Sequence, residues 1–166
     1  MKKLMVAMVG LLSWTQCQKS EVVSDFTGNQ ATYGLTQASQ YPVSGTVTFK
    51  ERKDGNTTVV IQLKGTDGSS QLPSHLHLGD VSSNGADVAA LLNPVSAKTG
   101  ISETIVSQMA DESKVSYKDL LKLAAYVNVH AAVTGPESSI ILVAGNIGVN
   151  GTKTSSANQI GVCKSN

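Results

Sequence analysis

The chain has little of the positive charge that would organise a nucleic-acid or anion site. Its 166 residues include 13 lysines and arginines against 12 aspartates and glutamates, for a net charge of +1. Such a balance provides no broad basic field, which excludes nucleic acid as a partner class. Arg52 is the only arginine, and arginine is the side chain that usually recognises phosphates and carboxylates through its planar fork. The sequence therefore argues against dedicated anion recognition.

Cysteine is equally scarce. The two cysteines, Cys17 and Cys163, lie near opposite ends of the sequence, so they form neither a disulfide framework nor a thiolate metal site. If Cys17 is retained unmodified, it can pair with Cys163 in an oxidising compartment. If Cys17 is modified, Cys163 is left unpaired.

The sequence also lacks a long apolar run, and its short one lies at the start. Lys2 and Lys3 precede an apolar stretch from Leu4 to Leu12. This stretch is too short to cross a hydrocarbon core of about 30 Å as a helix. A basic flank before a short apolar run is typical of a secretory signal peptide. We therefore expect the protein to be exported.

Cys17 follows this run in a stretch that resembles a bacterial lipoprotein signal, in which the cysteine becomes the lipidated first residue. The resemblance implies that the signal, residues 1–17, ends at Cys17. The residues before Cys17 would be removed, and the mature chain would be anchored to the membrane through Cys17. Gln16 departs from the pattern, since a small residue usually precedes the cysteine. The alternative is ordinary cleavage nearby, which would give a secreted protein.

Composition divides the rest of the chain into three parts. Residues 18–40 are rich in Gln, Ser, Thr and Gly, which predicts a flexible tether, with an edge strand inside it as the alternative. Residues 41–148 form the predicted folded domain. Residues 149–166 are a polar C-terminal tail.

Alternating apolar and polar residues predict that the folded domain consists of β-strands. Val43 to Phe49 alternates, and a charged turn ending in Asp54-Gly55 leads to a second strand from Thr57 to Leu63, as in a hairpin. Ser116 is a predicted helix cap, for a short helix that ends near Leu123. Further strands are predicted over Leu72–Leu78, Val88–Leu92, Ile101–Val106, Ala125–Val133 and Ser139–Ile147. Short strands at close spacing indicate an all-β sandwich or barrel with one short helix.

All three histidines of the chain fall within two of these predicted strands. His75 and His77 are two residues apart on one strand, so their side chains point to the same side, with Cβ atoms about 7 Å apart. His130 on another strand could complete a site of three nitrogens with an open position, which suits copper or zinc. Asp80 and Asn128 are candidates to orient the rings from a second layer.

Two other interpretations of the histidines stay open. They can form a hydrogen-bonded polar patch with Asn128 and Tyr126 that binds no metal. They can also hold a metal-bound water for an enzyme of unknown class. No nucleophile turn of the G-x-S-x-G type accompanies them, and no carboxylate pair stands out, so we expect no catalysis.

Four segments of the predicted domain form a recognisable set. They are Gly45-Thr-Val-Thr-Phe49, His75-Leu-His77-Leu-Gly-Asp80 with Asn84-Gly85, Ala125-Tyr-Val-Asn-Val-His130 and Ala144-Gly-Asn-Ile147. Together they resemble the CHRD domain, a family named for chordin and found in many bacterial exported proteins. The resemblance covers about residues 41–148 and implies a Greek-key, immunoglobulin-like β-sandwich or barrel. Ala144 stands where the family commonly has arginine, and Glu137-Ser-Ser replaces its usual Gly-Glu pair.

The segment from His75 to Asp80 is also similar, more weakly, to the strand-borne copper motif of copper–zinc superoxide dismutase. That family uses more histidines than this chain contains, and an arginine near its copper. The sequence therefore predicts an exported, lipid-anchored, CHRD-like module that binds an unknown envelope partner or stabilises the surface. The alternative is a copper or zinc protein that uses His75, His77 and His130.

Overall fold

The computed structural model describes residues 24–83 and 86–151. The predicted signal, Cys17, Cys163 and most of the predicted polar tail lie outside the described residues. Within them, no helix is long and apolar enough to cross a membrane. The strands are β1 (Phe26–Gln37), β2 (Ser44–Arg52), β3 (Thr57–Lys64), β4 (Gln71–Leu78), β5 (Val88–Ser96), β6 (Ile101–Val106), β7 (Ala124–His130) and β8 (Ile141–Gly148). Helix α1 spans Tyr117–Leu120, and a 3₁₀ turn spans Pro136–Ser139.

The strands form one closed antiparallel barrel. Their order around it is β1-β2-β3-β6-β5-β4-β7-β8, with β8 returning to β1. The predicted all-β fold with one short helix is confirmed. The helix lies between β6 and β7 and is shorter than predicted, since it ends at Leu120.

Two of the eight seams of the barrel are short. The β1–β8 seam aligns only Thr36 with Ala144 and Gln37 with Val143, and the β5–β6 seam aligns only Ser96 with Ile101. The other neighbours are paired over most of their length. The barrel therefore consists of two well-paired groups of four strands, β1-β2-β3-β6 and β5-β4-β7-β8, which close on each other through limited contacts.

The prediction of a tether over residues 18–40 is wrong for Phe26–Gln37, which form β1 and pair with β2. Leu35 is the only residue of β1 that is buried, and most of the strand is exposed. A strand that buries so little has a composition close to that of a linker, and this is why the sequence did not distinguish the two. The folded domain therefore begins at Phe26 and not near Tyr41.

The core fills the barrel interior with alternate residues of each strand. Fully buried side chains include Val47 and Phe49 of β2, Leu76 of β4 and Val127 of β7. Leu120 of α1 is also fully buried in this core, so the helix is held by packing as well as by its cap.

The predicted cap of α1 is confirmed in detail. The Ser116 hydroxyl accepts a hydrogen bond from the amide of Asp119 at 3.3 Å. The Asp119 carboxylate in turn accepts one from the amide of Ser116 at 3.1 Å. This reciprocal pair satisfies two of the amides that a helix start leaves without partners.

The short β1–β8 seam requires a glycine, and we predict that Gly145→Ala destabilises the protein. A Cβ atom on Gly145 would overlap the carbonyl oxygen of Gly34, whereas a Cβ on Gly34 would meet nothing within 4 Å. Overpacking of this kind costs about 1–3 kcal/mol. Urea unfolding should show such a loss for Gly145→Ala and little change for Gly34→Ala. Equal effects of the two variants would contradict the close approach.

Candidate functional site

The three histidines lie on the outer face of the barrel, where β4 pairs with β7. The register aligns His75 with Asn128 and His77 with Tyr126. Leu76 and Val127, which belong to the interior core, alternate with these residues and point the other way. The outer face of the two strands therefore carries five polar or aromatic side chains, namely His75, His77, Tyr126, Asn128 and His130.

The structure brings the three predicted histidines together, with His75 in contact with both of the others. The ring centroids of His75 and His130 are 5.2 Å apart at an interplanar angle of 54°. Those of His75 and His77 are 5.9 Å apart at 81°. The ring of Tyr126 stacks on His77 at 4.9 Å and 10°, so the cluster has an aromatic wall on one side.

This outer face is covered by the loops that follow β4 and β7. His77 is 0 % exposed and His130 is 4 % exposed. Val81 of the first loop packs with Tyr126 in a second, smaller apolar cluster. Asn146 of β8 fastens the same loop, since its side-chain oxygen accepts a hydrogen bond from the amide of Val81 at 2.8 Å. The histidines therefore lie in a buried layer between the sheet and two loops.

Two of the rings are fixed by backbone carbonyls. Nδ1 of His77 donates to the carbonyls of Ala86 at 3.0 Å and Asp87 at 3.2 Å, and Nδ1 of His130 donates to the carbonyl of Ser138 at 2.9 Å. A carbonyl oxygen can only accept, so each Nδ1 carries the proton and each Nε2 is the acceptor nitrogen of a neutral ring. Anchoring of this kind is what orients histidines that ligate metals.

His75 differs from the other two rings. Its side chain is only partly buried, yet its Nδ1 is buried and meets no hydrogen-bond partner among the described residues. Leaving a buried polar atom without a partner costs about 1–3 kcal/mol. His75 is therefore the ring whose present surroundings satisfy it least.

The cluster stays uncharged at neutral pH. Burial lowers the pKa of His75 to about 4, with further lowering from the charges that His130 and His77 would carry. Burial is also the largest cause of the lowered pKa values of His77 and His130, and the bonds to the carbonyls oppose it in both. The site therefore offers neutral imidazoles, which is the form that ligates metals.

The two residues predicted to support the rings have different surroundings. Asn128 forms a side-chain hydrogen bond with His77. The carboxylate of Asp80 accepts hydrogen bonds from the side-chain amide of Asn146 at 3.0 Å and from the amide of Ser82 at 3.1 Å. The acceptors that fix the Nδ1 of His77 are the backbone carbonyls of Ala86 and Asp87.

The clustered rings do not amount to a formed coordination site. Within residues 24–83 and 86–151, no three or more histidine, cysteine, aspartate or glutamate side chains are arranged so that they could hold a metal ion together. The rings meet edge-on or tilted. The three histidine side chains are therefore close together, but their nitrogens are not oriented to bind one metal ion.

Sequence reasoning missed the groups that fix this site. The carbonyls of Ala86, Asp87 and Ser138 have no side-chain signature, so no sequence pattern could reveal them. Asn146 did have a signal, because it lies two residues after Ala144 on the last predicted strand and therefore shares its face.

The comparisons with known proteins leave the family of this chain open. No protein-family model matches it, and no curated protein or solved structure is significantly similar to it. Any function must therefore be argued from the site itself.

We predict that acidification destabilises the metal-free protein through these histidines. An unfolded histidine takes up a proton near pH 6.5, whereas folded His75 does so only near pH 4. Between these values the unfolded state holds more protons. The contribution of His75 to the free energy of unfolding therefore falls as the pH falls through this window, and it is constant above the window.

Melting temperatures from pH 8 to pH 4 test this prediction. The wild-type protein should lose stability from about pH 6.5 downwards, and His75→Asn should lose less over the same range. Because His75→Asn keeps every carboxylate, the difference between the two curves isolates the histidine. Parallel curves would show that His75 is not buried in its neutral form.

Proposed function

We propose that this protein is an exported binding module of the cell envelope whose histidine cluster holds one copper or zinc ion. The observation that carries the proposal is the set of three neutral imidazoles packed on one covered face. Two of them have their acceptor nitrogen fixed at Nε2 by bonds to carbonyls. We assign no catalytic activity to the module.

The ligands in this proposal are His75, His77 and His130. Since His77 and His130 are anchored, the adjustment falls on His75, whose ring is only partly buried. Binding through the Nδ1 of His75 would give that atom the partner that it lacks among the described residues. The energy recovered there, about 1–3 kcal/mol, offsets the cost of reorienting the ring.

The strand order supports the more specific fold that the sequence resemblance implies. In β7-β4-β5-β6, three consecutive strands are joined by a fourth beside the first, which is the spatial order of a Greek key. The two groups of four strands that close through short seams support a flattened, sandwich-like barrel. On this basis we propose that the domain is CHRD-like, with Ala144 buried at the position where that family commonly has arginine.

A second candidate function has an observation of its own. The bonds from His77 to Ala86 and from His130 to Ser138 fasten two loops to the sheet. On this interpretation the histidines are structural clasps, and the module binds an envelope partner through another surface.

Metal binding to the purified chain separates the two candidates. We expect one equivalent of copper(II) or zinc to bind the metal-free protein and raise its melting temperature. His77→Ala and His130→Ala should weaken binding by about 100-fold or more, since losing even a partner of a ligand costs about 10- to 100-fold. Isothermal titration, with nitrogen couplings in the copper(II) electron paramagnetic resonance spectrum, measures both effects.

Gln62→Ala is the matched control, because Gln62 is an exposed polar residue on β3, which pairs with neither β4 nor β7. It should bind metal like the wild type. The chain has no histidine outside the cluster, so nitrogen couplings identify these rings. If the wild type retains no stoichiometric metal, the clasp interpretation stands and the metal proposal is wrong.

We propose further that the module is anchored to the membrane through a lipid on Cys17, as the sequence predicts. In a bacterial host, mass spectrometry of the mature N-terminus should show Cys17 with an attached diacylglycerol. Cys17→Ser should release the protein from the membrane fraction, whereas Cys163→Ser should leave it there. An unmodified N-terminus downstream of residue 17 would refute the anchor and leave ordinary secretion.

A further inference from the structure

We infer that a cleft next to the histidine cluster binds a small amphiphilic cation, that is, an apolar molecule that ends in an ammonium group. The cleft lies between the end of β4, the start of β5 and the segment that connects β6 to α1. Its volume is about 620 Å³, within the range of about 300–1,000 Å³ that is typical of small-molecule sites. The inference does not depend on whether the histidines bind a metal ion.

Much of the surface of the cleft is apolar. Leu78, at the end of β4, lines the cleft and is 50 % exposed. Met109 and Leu123 also line it, and both are only partly buried where they pack against the main core. These three side chains offer a ligand exposed apolar surface, and the removal of such surface from water favours binding.

Hydrogen bonds hold the walls of the cleft in place. The amide of Ala110 donates to the carbonyl of Ala89 at 2.7 Å, which fixes the segment after β6 against β5. The carbonyls of Ala86 and Asp87 accept the bonds from Nδ1 of His77, which fix the end of the loop after β4 against the sheet. Because the walls are held in this way, a ligand meets a largely formed cleft, and binding loses little free energy to the ordering of loops.

The charge of the cleft determines which ligand it favours. Of the described residues that line it, the charged ones are Asp87 and Asp111, and both are acidic. The carboxylate of Asp111 accepts hydrogen bonds from the hydroxyl of Ser113 at 2.6 Å and from its amide at 3.0 Å. These bonds, that from the hydroxyl foremost, lower the pKa of Asp111, so the carboxylate is ionised at neutral pH. The cleft therefore attracts a cation and repels an anion.

The apolar surface and the carboxylates contribute differently to binding. Asp87 and Asp111 are exposed, and a pair of opposite charges in contact with water gains little free energy. Burial of the apolar part of the ligand therefore supplies most of the affinity, and the carboxylates supply the preference for a positive head group. An inorganic cation could use only the carboxylates. The ligand class that fits both features is an aliphatic or aromatic amine.

Octylamine, octanol and octanoate are suitable probes, because they share one chain length and differ in the charge of the head group. Octylamine is a cation at neutral pH, as the lysine side chain is. Each probe is titrated calorimetrically into the metal-free, full-length chain. We expect octylamine to bind about three- to tenfold more tightly than octanol, and octanoate to bind more weakly than octanol. In NMR spectra the amide signals of Leu78, Met109 and Leu123 should shift.

Three variants test the position and the charge of the site. Ala110→Phe places a ring in the cleft and should weaken binding of octylamine and octanol alike by at least about tenfold. The double variant Asp87→Asn with Asp111→Asn should bind octanol like the wild type and lose the preference for octylamine. Gln30→Phe is the matched control, because it adds the same ring on β1, which pairs with β2 and β8, and it should change neither affinity. All four positions are exposed, so we expect these variants to fold.

The possible results separate the parts of this inference from each other and from the metal proposal. If no probe binds, or if Ala110→Phe binds the probes like the wild type, the cleft is not a ligand site. If octanol binds as tightly as octylamine, or if the double variant keeps the preference, the charge argument is wrong. The metal proposal is measured with metal ions and the histidine variants, so it stands or fails independently.

Discussion

The register between β4 and β7 is the constraint on which the rest of the structure depends. Successive side chains of a strand point to opposite faces, so a shift of one residue would exchange the two faces completely. In the observed register, Leu76 and Val127 fill the core and the three histidines lie outside it. A slip would place imidazoles inside the barrel and leave leucine and valine under the loops. The register that packs Leu76 and Val127 into the core is therefore the same register that places the three histidines outside it.

The same outer face explains why two loops lie where they do. A layer of histidine, tyrosine and asparagine is polar, and burying it costs free energy unless its groups find partners. The loops provide these partners as backbone carbonyls. Asn146 holds the loop after β4 in place, because its side-chain oxygen accepts a hydrogen bond from the amide of Val81. Tyr126, Val81, Ile141 and Ala144 add a small apolar cluster beneath them. The hydrogen bonds that hold the two loops over this face therefore also orient the histidine rings.

These relations set the limits of prediction from the sequence. Strands with alternation and a clear apolar face, such as Val43 to Phe49, could be located, and so could the Ser116 cap. The meeting of His130 with His75 followed from placing both on strands of one sheet. For β1 the sequence left a tether and a strand as alternatives, because this strand buries only Leu35 and its pairing with β2 is a backbone property. The tautomers of His77 and His130 also depend on carbonyls, which every residue has.

The Nδ1 of His75, which meets no hydrogen-bond partner among residues 24–83 and 86–151, is what favours the proposed ligand site over the clasp interpretation. Clasps are needed only at His77 and His130, whose Nδ1 atoms hold the two loops. An apolar residue at position 75 would keep the rest of the cluster and avoid the cost of a buried nitrogen without a partner, about 1–3 kcal/mol. His75 also lowers stability in mild acid, because its pKa falls to about 4. His75 therefore contributes ring contacts to the cluster at a cost in both respects, and in the proposed function a bound cation would offset that cost by making His75 the third ligand.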